Sequence, residues 1–317
     1  MKNVATKDGN VVKRKSRFLA ISIICVSVAL VVFLVSFFLV KSINNSKNAN
    51  PSVRKLYSLW QNGEYQQLYE DSASLIEKKS VNVSAFILHG YSAYFLALAD
   101  TDITNSQSYL DEAIYNLRYA LYHVSDKMLP QLYYMLGKVY FQKNVLSAYY
   151  YYSDLVVKYL KLATDLGYSA PDIPEYLGIC YADLGKDTES IMEFTRALKN
   201  RKSDMLLYSI ANQYCKVGQS DNALPYLTQI IQESEDDEFI QKSQILLADI
   251  YFSKGDYQAA QQTYEAVLEK NPNSVDALYG MGNIYEKKGD MAKARSEWRK
   301  VLKFQVDHSS AKKKLGI

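Results

Sequence analysis

A residue pattern that recurs about every 34 positions constrains the fold of this 317-residue chain more than any other feature. One copy contains Leu247, Ala248, Tyr251, Gly255, Ala260, Tyr264 and Val267. The next copy contains, at the same offsets, Met281, Gly282, Tyr285, Gly289, Ala294, Trp298 and Val301. The pattern recurs upstream around Tyr214 and Tyr181, and a fifth copy opens at Leu136. A fixed period of this length predicts a row of similar structural units instead of one globular core.

The spacing within one copy predicts two helices joined by a tight turn. A large residue, a small residue and a tyrosine three positions later lie near one face of a helix. The glycine that follows ends this helix, because a left-handed residue costs least without a side chain. The later alanine lets a second helix approach, and the aromatic residue after it fills the remaining space. Such a pair cannot bury its apolar face alone, so neighbouring pairs must stack.

These positions resemble the tetratricopeptide repeat (TPR) family. The resemblance implies an all-α fold, a TPR-type solenoid of helix-turn-helix units. We predict a regular array over residues 169–304, degenerate helix pairs over residues 52–168 and a capping helix over residues 305–317, with about seven pairs in all. Residues 100–108 are polar and are predicted to form a loop longer than a standard turn.

One copy exceeds the 34-residue period by seven residues, because 41 residues separate Gly137 from Gly178. Seven residues make nearly two helical turns, so the insert is expected to lengthen helices. It contains the consecutive residues Tyr149, Tyr150, Tyr151 and Tyr152. Four consecutive residues on a helix point in all directions, so at least one or two would face solvent. They would belong either to a helix packed on both sides or to a docking patch for a partner or a lipid interface.

Residues 18–40 contain no charged side chain and predict a transmembrane helix that precedes the solenoid. At about 1.5 Å per residue, this segment is long enough to cross a hydrocarbon core of about 30 Å. A cleaved signal peptide is the alternative, but its apolar region is usually shorter and ends in a small-x-small site. No such site follows Val40. We therefore predict an uncleaved signal anchor in the lipid bilayer.

The charge around this segment predicts its orientation. Residues 1–17 contain six Lys or Arg and one Asp, and they are predicted to form a basic cytoplasmic tail. Residues 41–51 are polar and predict a flexible stalk. The TPR domain would then be periplasmic or otherwise extracytoplasmic, in a single-pass protein of the inner (cytoplasmic) membrane.

Catalytic and metal-binding patterns are lacking in the sequence. The three histidines are far apart, and no phosphate-binding, dinucleotide-binding or nucleophile-elbow string occurs. The acidic residues between 233 and 238 lack the spacing of a calcium loop and predict a solvated loop. Cys180 and Cys215 are expected to be unpaired thiols. We predict no enzymatic activity, no metal or other cofactor, no small-molecule substrate and, with the basic charge confined to the tail, no nucleic-acid partner.

The resemblance implies that the first helix of each pair lines a concave groove that binds partners. In the family's frame, the inward positions are the second, fifth, ninth, twelfth and thirteenth of each repeat. They give Tyr134, Lys138, Phe141, Glu175, Ile179, Tyr208, Asn212, Cys215, Ile245, Asp249, Phe252, Tyr279, Asn283 and Glu286. Tyrosine supplies a large contact area and one hydroxyl, which suits protein recognition. The alternative is that these tyrosines only pack between helices.

The function predicted from this layout is that of a non-enzymatic, membrane-anchored scaffold. It would gather the proteins of a periplasmic or envelope complex, for which a structure associated with the flagellar motor is one example. The alternative is a translocon-associated or chaperone-like factor that binds exported clients. The assignment to such a complex depends on architecture alone. An apolar groove would favour the chaperone-like factor, whereas the mixed polarity of the predicted groove favours defined partners.

Overall fold

The computed structural model describes residues 52–78, 82–148 and 151–317. Every regular element in these residues is helical. The chain divides between Ala85 and Phe86 into two compact units, which are described separately.

The described part of the first unit contains a short helical hairpin. Helix α1 (Val53–Asn62) begins after Ser52, whose hydroxyl accepts a hydrogen bond from the backbone N–H of Lys55 at 3.3 Å. It is followed by α2 (Tyr65–Glu77). Leu56 of α1 and Leu68 of α2 are fully buried.

The helices that follow form pairs in chain order. They are α3 (Val83–Ala99) with α4 (Ile103–Leu121), α5 (Leu129–Leu146) with α6 (Ser153–Asp165), α7 (Ile173–Asp183) with α8 (Asp187–Asn200), α9 (Asp204–Lys216) with α10 (Ser220–Glu233), α11 (Asp237–Ser253) with α12 (Tyr257–Lys270), α13 (Val275–Lys287) with α14 (Met291–Phe304), and the single helix α15 (Ser309–Leu315). A 3-10 turn, Asp126–Met128, precedes α5. With the hairpin of the first unit, the described residues contain seven helix pairs, the number expected from the repeat.

The turn within each regular pair depends on glycine, as the pattern predicts. Gly255 and Gly289 have φ angles of 81° and 83°, a left-handed conformation that is costly for a residue with a side chain. The N–H of Gly289 donates to the carbonyl oxygen of Glu286 at 3.0 Å, which satisfies a carbonyl group left open at the helix end. The first helix therefore ends here, and the chain turns back into the second.

The core of each pair lies where the small residue of the first helix meets the aromatic residue of the second. Trp298 is fully buried against Leu278, Ala294 and Val301. A β-carbon on Gly282 would lie only 2.4 Å from Nε1 of Trp298, so the glycine is what lets the two helices approach. Ala311 of α15, the helix that lies in the predicted capping segment, packs onto the same cluster.

The placement of the inserted tyrosines on a helix is wrong for the two that the structure describes. Tyr151 and Tyr152 lie in the linker between α5 and α6, whereas Tyr149 and Tyr150 lie outside the described residues. Helix α5 extends nine residues beyond Gly137, against five beyond the equivalent glycine of α13. The insert thus contributes four residues to a helix, and Tyr151 and Tyr152 lie after its end.

The long polar loop predicted over residues 100–108 is also wrong. Helix α4 begins at Ile103 and leaves a turn of three residues. The carboxylate of Asp102 accepts hydrogen bonds from the N–H groups of Thr104 and Asn105 at 2.7 and 3.1 Å. These bonds satisfy free donors at the helix start, so the polar sequence is helical.

The predicted cytoplasmic tail, transmembrane helix and stalk, residues 1–51, lie outside the described residues. None of the helices that the structure describes combines the length and the apolar character needed to cross a membrane.

Candidate functional site

The first helices of successive pairs lie side by side in the C-terminal half of the second unit. Helix α9 contacts α11, and α11 contacts α13. The residues predicted to face inward recur at equal offsets on these helices, so they lie at matching levels. The surface that they form on α5, α7, α9, α11 and α13 is called the first-helix face below.

On α5 and α7, polar side chains of this face form hydrogen bonds with one another. The hydroxyl of Tyr134 lies 2.9 and 2.8 Å from the two carboxylate oxygens of Asp172. Nζ of Lys138 pairs with the same carboxylate at 3.2 Å. Burial and the nearby charge of Asp172 raise the pKa of Tyr134, so its hydroxyl remains a donor. These polar groups satisfy one another.

The neighbouring residues on this part of the face also make contacts within the chain. The ring of Phe141 lies 4.4 Å from that of Tyr176, measured between centroids. The carboxylate of Glu175 accepts a hydrogen bond from Arg201 at 3.2 Å, and Ile179 packs against an apolar cluster. The α5–α7 part of the face is therefore closed mainly by contacts between pairs.

The part of the face on α9, α11 and α13 carries the remaining predicted residues. Six of them are partly buried or packed against the core: Tyr208, Asn212, Ile245, Phe252, Tyr279 and Asn283. The Tyr279 ring lies 5.0 Å from that of His308, and the Phe252 ring lies 5.4 Å from that of Tyr257. Their packing fixes the rings in place, while part of each side chain stays accessible.

Asp249 is the charged residue at the centre of this part. Its carboxylate is open to solvent and accepts a hydrogen bond from the hydroxyl of Tyr264 on α12. Tyr264 is 1% exposed, so its ring lies in the core while its hydroxyl reaches the face. Partial loss of water around the carboxyl raises the pKa of Asp249, the hydrogen bond from Tyr264 opposes this rise, and the charge of Asp276 adds to it. The surroundings of Asp249 in the folded protein therefore disfavour its ionised form.

A raised pKa predicts how Asp249 affects stability. The folded state favours the protonated carboxyl, so an ionised Asp249 lowers the free energy of unfolding at neutral pH. We expect Asp249→Asn, which keeps an oxygen for Tyr264, to unfold at a higher denaturant concentration than the wild type at pH 7. The difference should shrink as the pH falls through the raised pKa of Asp249. Urea unfolding across this pH range measures it, and a variant less stable than the wild type at pH 7 contradicts the pKa direction.

The sequence does not predict the roles of three residues at this site. Tyr264 was assigned only to packing, and Asp172 and Asp276 were not singled out. Both aspartates occupy the second position of their repeats, which is one of the inward positions, so the repeat frame could have identified them. Nothing in the spacing indicates that the hydroxyl of Tyr264 reaches Asp249.

The tyrosines of the insert differ in exposure. Tyr151 is 84% exposed. The backbone N–H of Tyr152 donates to Oδ1 of Asn144 at 2.7 Å, and its ring lies 6.0 Å from that of Tyr140. Tyr151 is thus the more exposed of the two tyrosines of the insert that the structure describes, and Tyr152 is partly buried.

The described residues include no group of three or more His, Cys, Asp or Glu that could hold a metal ion. Cys180 and Cys215 are both free thiols. Burial raises the pKa of Cys180 to about 12, so this thiol is not a reactive thiolate at neutral pH.

Comparison with known proteins identifies the repeats. A model of the tetratricopeptide repeat matches residues 245–304. Over 69 residues the chain is 38% identical to the uncharacterised protein ycf37 of Pyropia yezoensis, a match that covers 22% of this chain and 39% of that protein. Over 51 residues it is 45% identical to the photosystem I assembly protein Ycf3 of Synechococcus sp. (strain CC9605), covering 16% of this chain and 30% of that protein. The chain thus spans well under half the length of these relatives.

A solved structure extends the likeness in fold to most of the chain. The C-terminal part of a TPR repeat-containing protein from Cytophaga hutchinsonii is similar over 84% of this chain and all of that one, with a TM-score of 0.58 and 15% identity. At this identity the likeness concerns the fold alone. Together with the repeat period and the stacked helix pairs, it shows a TPR-type solenoid fold, and the family match places tetratricopeptide repeats at residues 245–304.

Proposed function

We propose that this protein is a non-enzymatic scaffold that binds other proteins through the first-helix face of α9, α11 and α13. The observation that supports this most directly is the combination of fixed aromatic rings with an accessible carboxylate, Asp249, on adjacent helices. Rigid aromatic side chains give contact area at little entropic cost, and polar groups between them give specificity. Helix pairs stacked in this way typically bind protein partners instead of catalysing reactions.

The proposed setting is a membrane. The uncharged segment at residues 18–40 would anchor the chain in the inner membrane, with the TPR domain in the periplasm or another extracytoplasmic space. There the scaffold would serve assembly of an envelope complex, such as a structure associated with the flagellar motor. The relative from Synechococcus is named a photosystem I assembly protein, which also favours an assembly role.

A chaperone-like factor that binds exported clients is the second candidate. Such a factor would need a mainly apolar face to hold many unrelated unfolded segments. The first-helix face instead alternates tyrosine, asparagine and aspartate, as at Tyr208, Asn212 and Asp249. This mixed polarity favours a few defined partners.

The experiment is a quantitative pull-down of the full-length protein from detergent-solubilised membranes. The variant Tyr208→Ala/Phe252→Ala/Tyr279→Ala removes aromatic area from the first-helix face. The control Tyr115→Ala/Tyr122→Ala/Tyr151→Ala removes three tyrosines that are 68%, 82% and 84% exposed elsewhere. We expect the protein in the membrane fraction with a few partners in fixed ratio, retained by the control and reduced about tenfold or more in the face variant.

Thermal unfolding of both triple variants shows whether they are folded at the temperature of the pull-down. A broad, substoichiometric set of exported proteins would favour the chaperone-like role. If the face variant still binds the fixed partners and the control variant does not, the partners bind at the exposed tyrosines instead.

A further inference from the structure

The carboxylates of the first-helix face differ in whether a cation neutralises them. Asp172 pairs with Lys138, Glu175 with Arg201, and Glu286 with Lys314 of the capping helix. Among the described residues, no lysine or arginine pairs with Asp249 or Asp276. The α11–α13 part of the face therefore carries two negative charges that the fold leaves without a cation.

The nearest lysine of α11 does not neutralise them. Lys242 is paired with Glu238 one turn away and lies over the ring of Phe239, with Nζ 5.5 Å from the ring centroid. The other groups that act on this site are the Tyr208 hydroxyl and the Cys215 thiol from α9 and the Tyr264 hydroxyl from α12. Burial raises the pKa of both tyrosines, so they are neutral at pH 7.

An amide beside these aspartates also has an unused acceptor. Oδ1 of Asn283 is buried and has no hydrogen-bond partner among the described residues. A buried acceptor without a donor costs free energy, and native structures rarely retain one without a reason.

These acceptors lie on two adjacent helices of the same face. Asp249 and Asn283 occupy the same offset on α11 and α13, which are in contact, and packed helix axes lie about 8–10 Å apart. Asp276 lies on the same face of α13 as Asn283, two turns earlier. It is close enough to Asp249 to raise the pKa of that carboxyl.

The chemistry of this site matches a cation that donates several hydrogen bonds. Asp249, Asp276 and Asn283 offer carboxylate and amide oxygens, and lysine and arginine side chains carry three and five N–H donors. The partly accessible rings of Tyr208 and Tyr279 flank the site, where they can contact the aliphatic stem of such a side chain and attract its charge. A partner with apolar residues next to the basic one would fit best.

We propose that the α11–α13 part of the first-helix face binds a protein segment by accepting a lysine or arginine side chain between Asp249, Asp276 and Asn283. This inference rests on the proposed function, because it names the chemistry of the partner at the same face.

The test is selection from a displayed library of random linear peptides on the full-length protein in detergent. We expect the selected peptides to share a lysine or arginine beside apolar residues. Their affinity should fall about tenfold or more in Asp249→Asn/Asp276→Asn. The control Glu265→Gln/Glu269→Gln removes two negative charges from α12, where both glutamates are exposed, and it should bind as the wild type does.

Two further readouts separate the site from general electrostatic attraction. Binding should weaken as the pH falls through the raised pKa of Asp249, because only the ionised carboxylate attracts a cation. Asp249→Lys should reject the basic peptides altogether, and circular dichroism shows whether each variant keeps its helices.

Basic peptides that bind Asp249→Asn/Asp276→Asn unchanged would overturn the proposal. Selection of acidic or purely apolar peptides, or of none, would overturn it as well. The proposed function would survive these results if the pull-down still lost its partners in Tyr208→Ala/Phe252→Ala/Tyr279→Ala. A pull-down unaffected by that variant would instead remove the proposed function itself.

Discussion

Trp298→Ala is expected to lower the free energy of unfolding by about 3–5 kcal/mol, the range for removing a large aromatic side chain from a core. Trp298 is fully buried and lies where α13, α14 and α15 meet. Its loss leaves a cavity that the glycine opposite, Gly282, cannot fill. Hydrogen–deuterium exchange should increase mainly in α13–α15, because repeats are coupled chiefly to their neighbours.

The control for this change is Trp298→Phe. Nε1 of Trp298 is buried and has no hydrogen-bond partner among the described residues, so phenylalanine removes an unsatisfied donor while it keeps most of the ring. We expect a clearly smaller loss of stability than in the alanine variant. Equal losses in both variants, or faster exchange spread evenly over α5–α15, would contradict this account of the core.

Gly280→Ala is expected to destabilise the protein by about 1–3 kcal/mol, as overpacking of a core does. In most helices the same change stabilises by about 0.5–1 kcal/mol, so the sign alone tests the structure. A β-carbon at Gly280 would lie 2.2 Å from Cζ of Tyr264, and that ring is 1% exposed and cannot move aside freely. Urea unfolding gives the difference in free energy.

A double-mutant cycle assigns the cost of Gly280→Ala to this contact. In a Tyr264→Leu background the ring is absent, so Gly280→Ala should become much less costly. If Gly280→Ala costs the same free energy of unfolding in both backgrounds, the clash is not with Tyr264.

The repeat frame predicted much of the fold because its residues have local, physical roles. A glycine with positive φ ends α13 at Gly289, and a small residue facing an aromatic one sets the approach of two helices at Gly282 and Trp298. These contacts join residues whose spacing is fixed by the helix period. Sequence periodicity reports such contacts directly.

Residues between the repeats were harder to predict. Polar composition suggested a loop at residues 100–108, but Ser106 is buried and its hydroxyl donates to the carbonyl oxygen of Ala97 at 3.0 Å. That tertiary contact and the cap at Asp102 favour a helix, and composition reports neither. The seven-residue insert likewise has a length that fits helix and linker equally well, so only packing decides where Tyr151 and Tyr152 lie.

The candidate site was predicted as positions but not as interactions. The frame placed Tyr134 and Lys138 on the first-helix face, yet both are engaged by Asp172. It also named Asp249, whose bond to Tyr264 depends on how far a buried ring reaches across two helices. Which side chains contact each other across two helices depends on three-dimensional packing. The spacing of residues in one sequence does not reveal it.

The position of Tyr264 has a structural consequence. Its ring presses against Gly280 of the following pair, and its hydroxyl holds Asp249 on the face. One buried side chain therefore links the carboxylate on the face to the contact between two helix pairs.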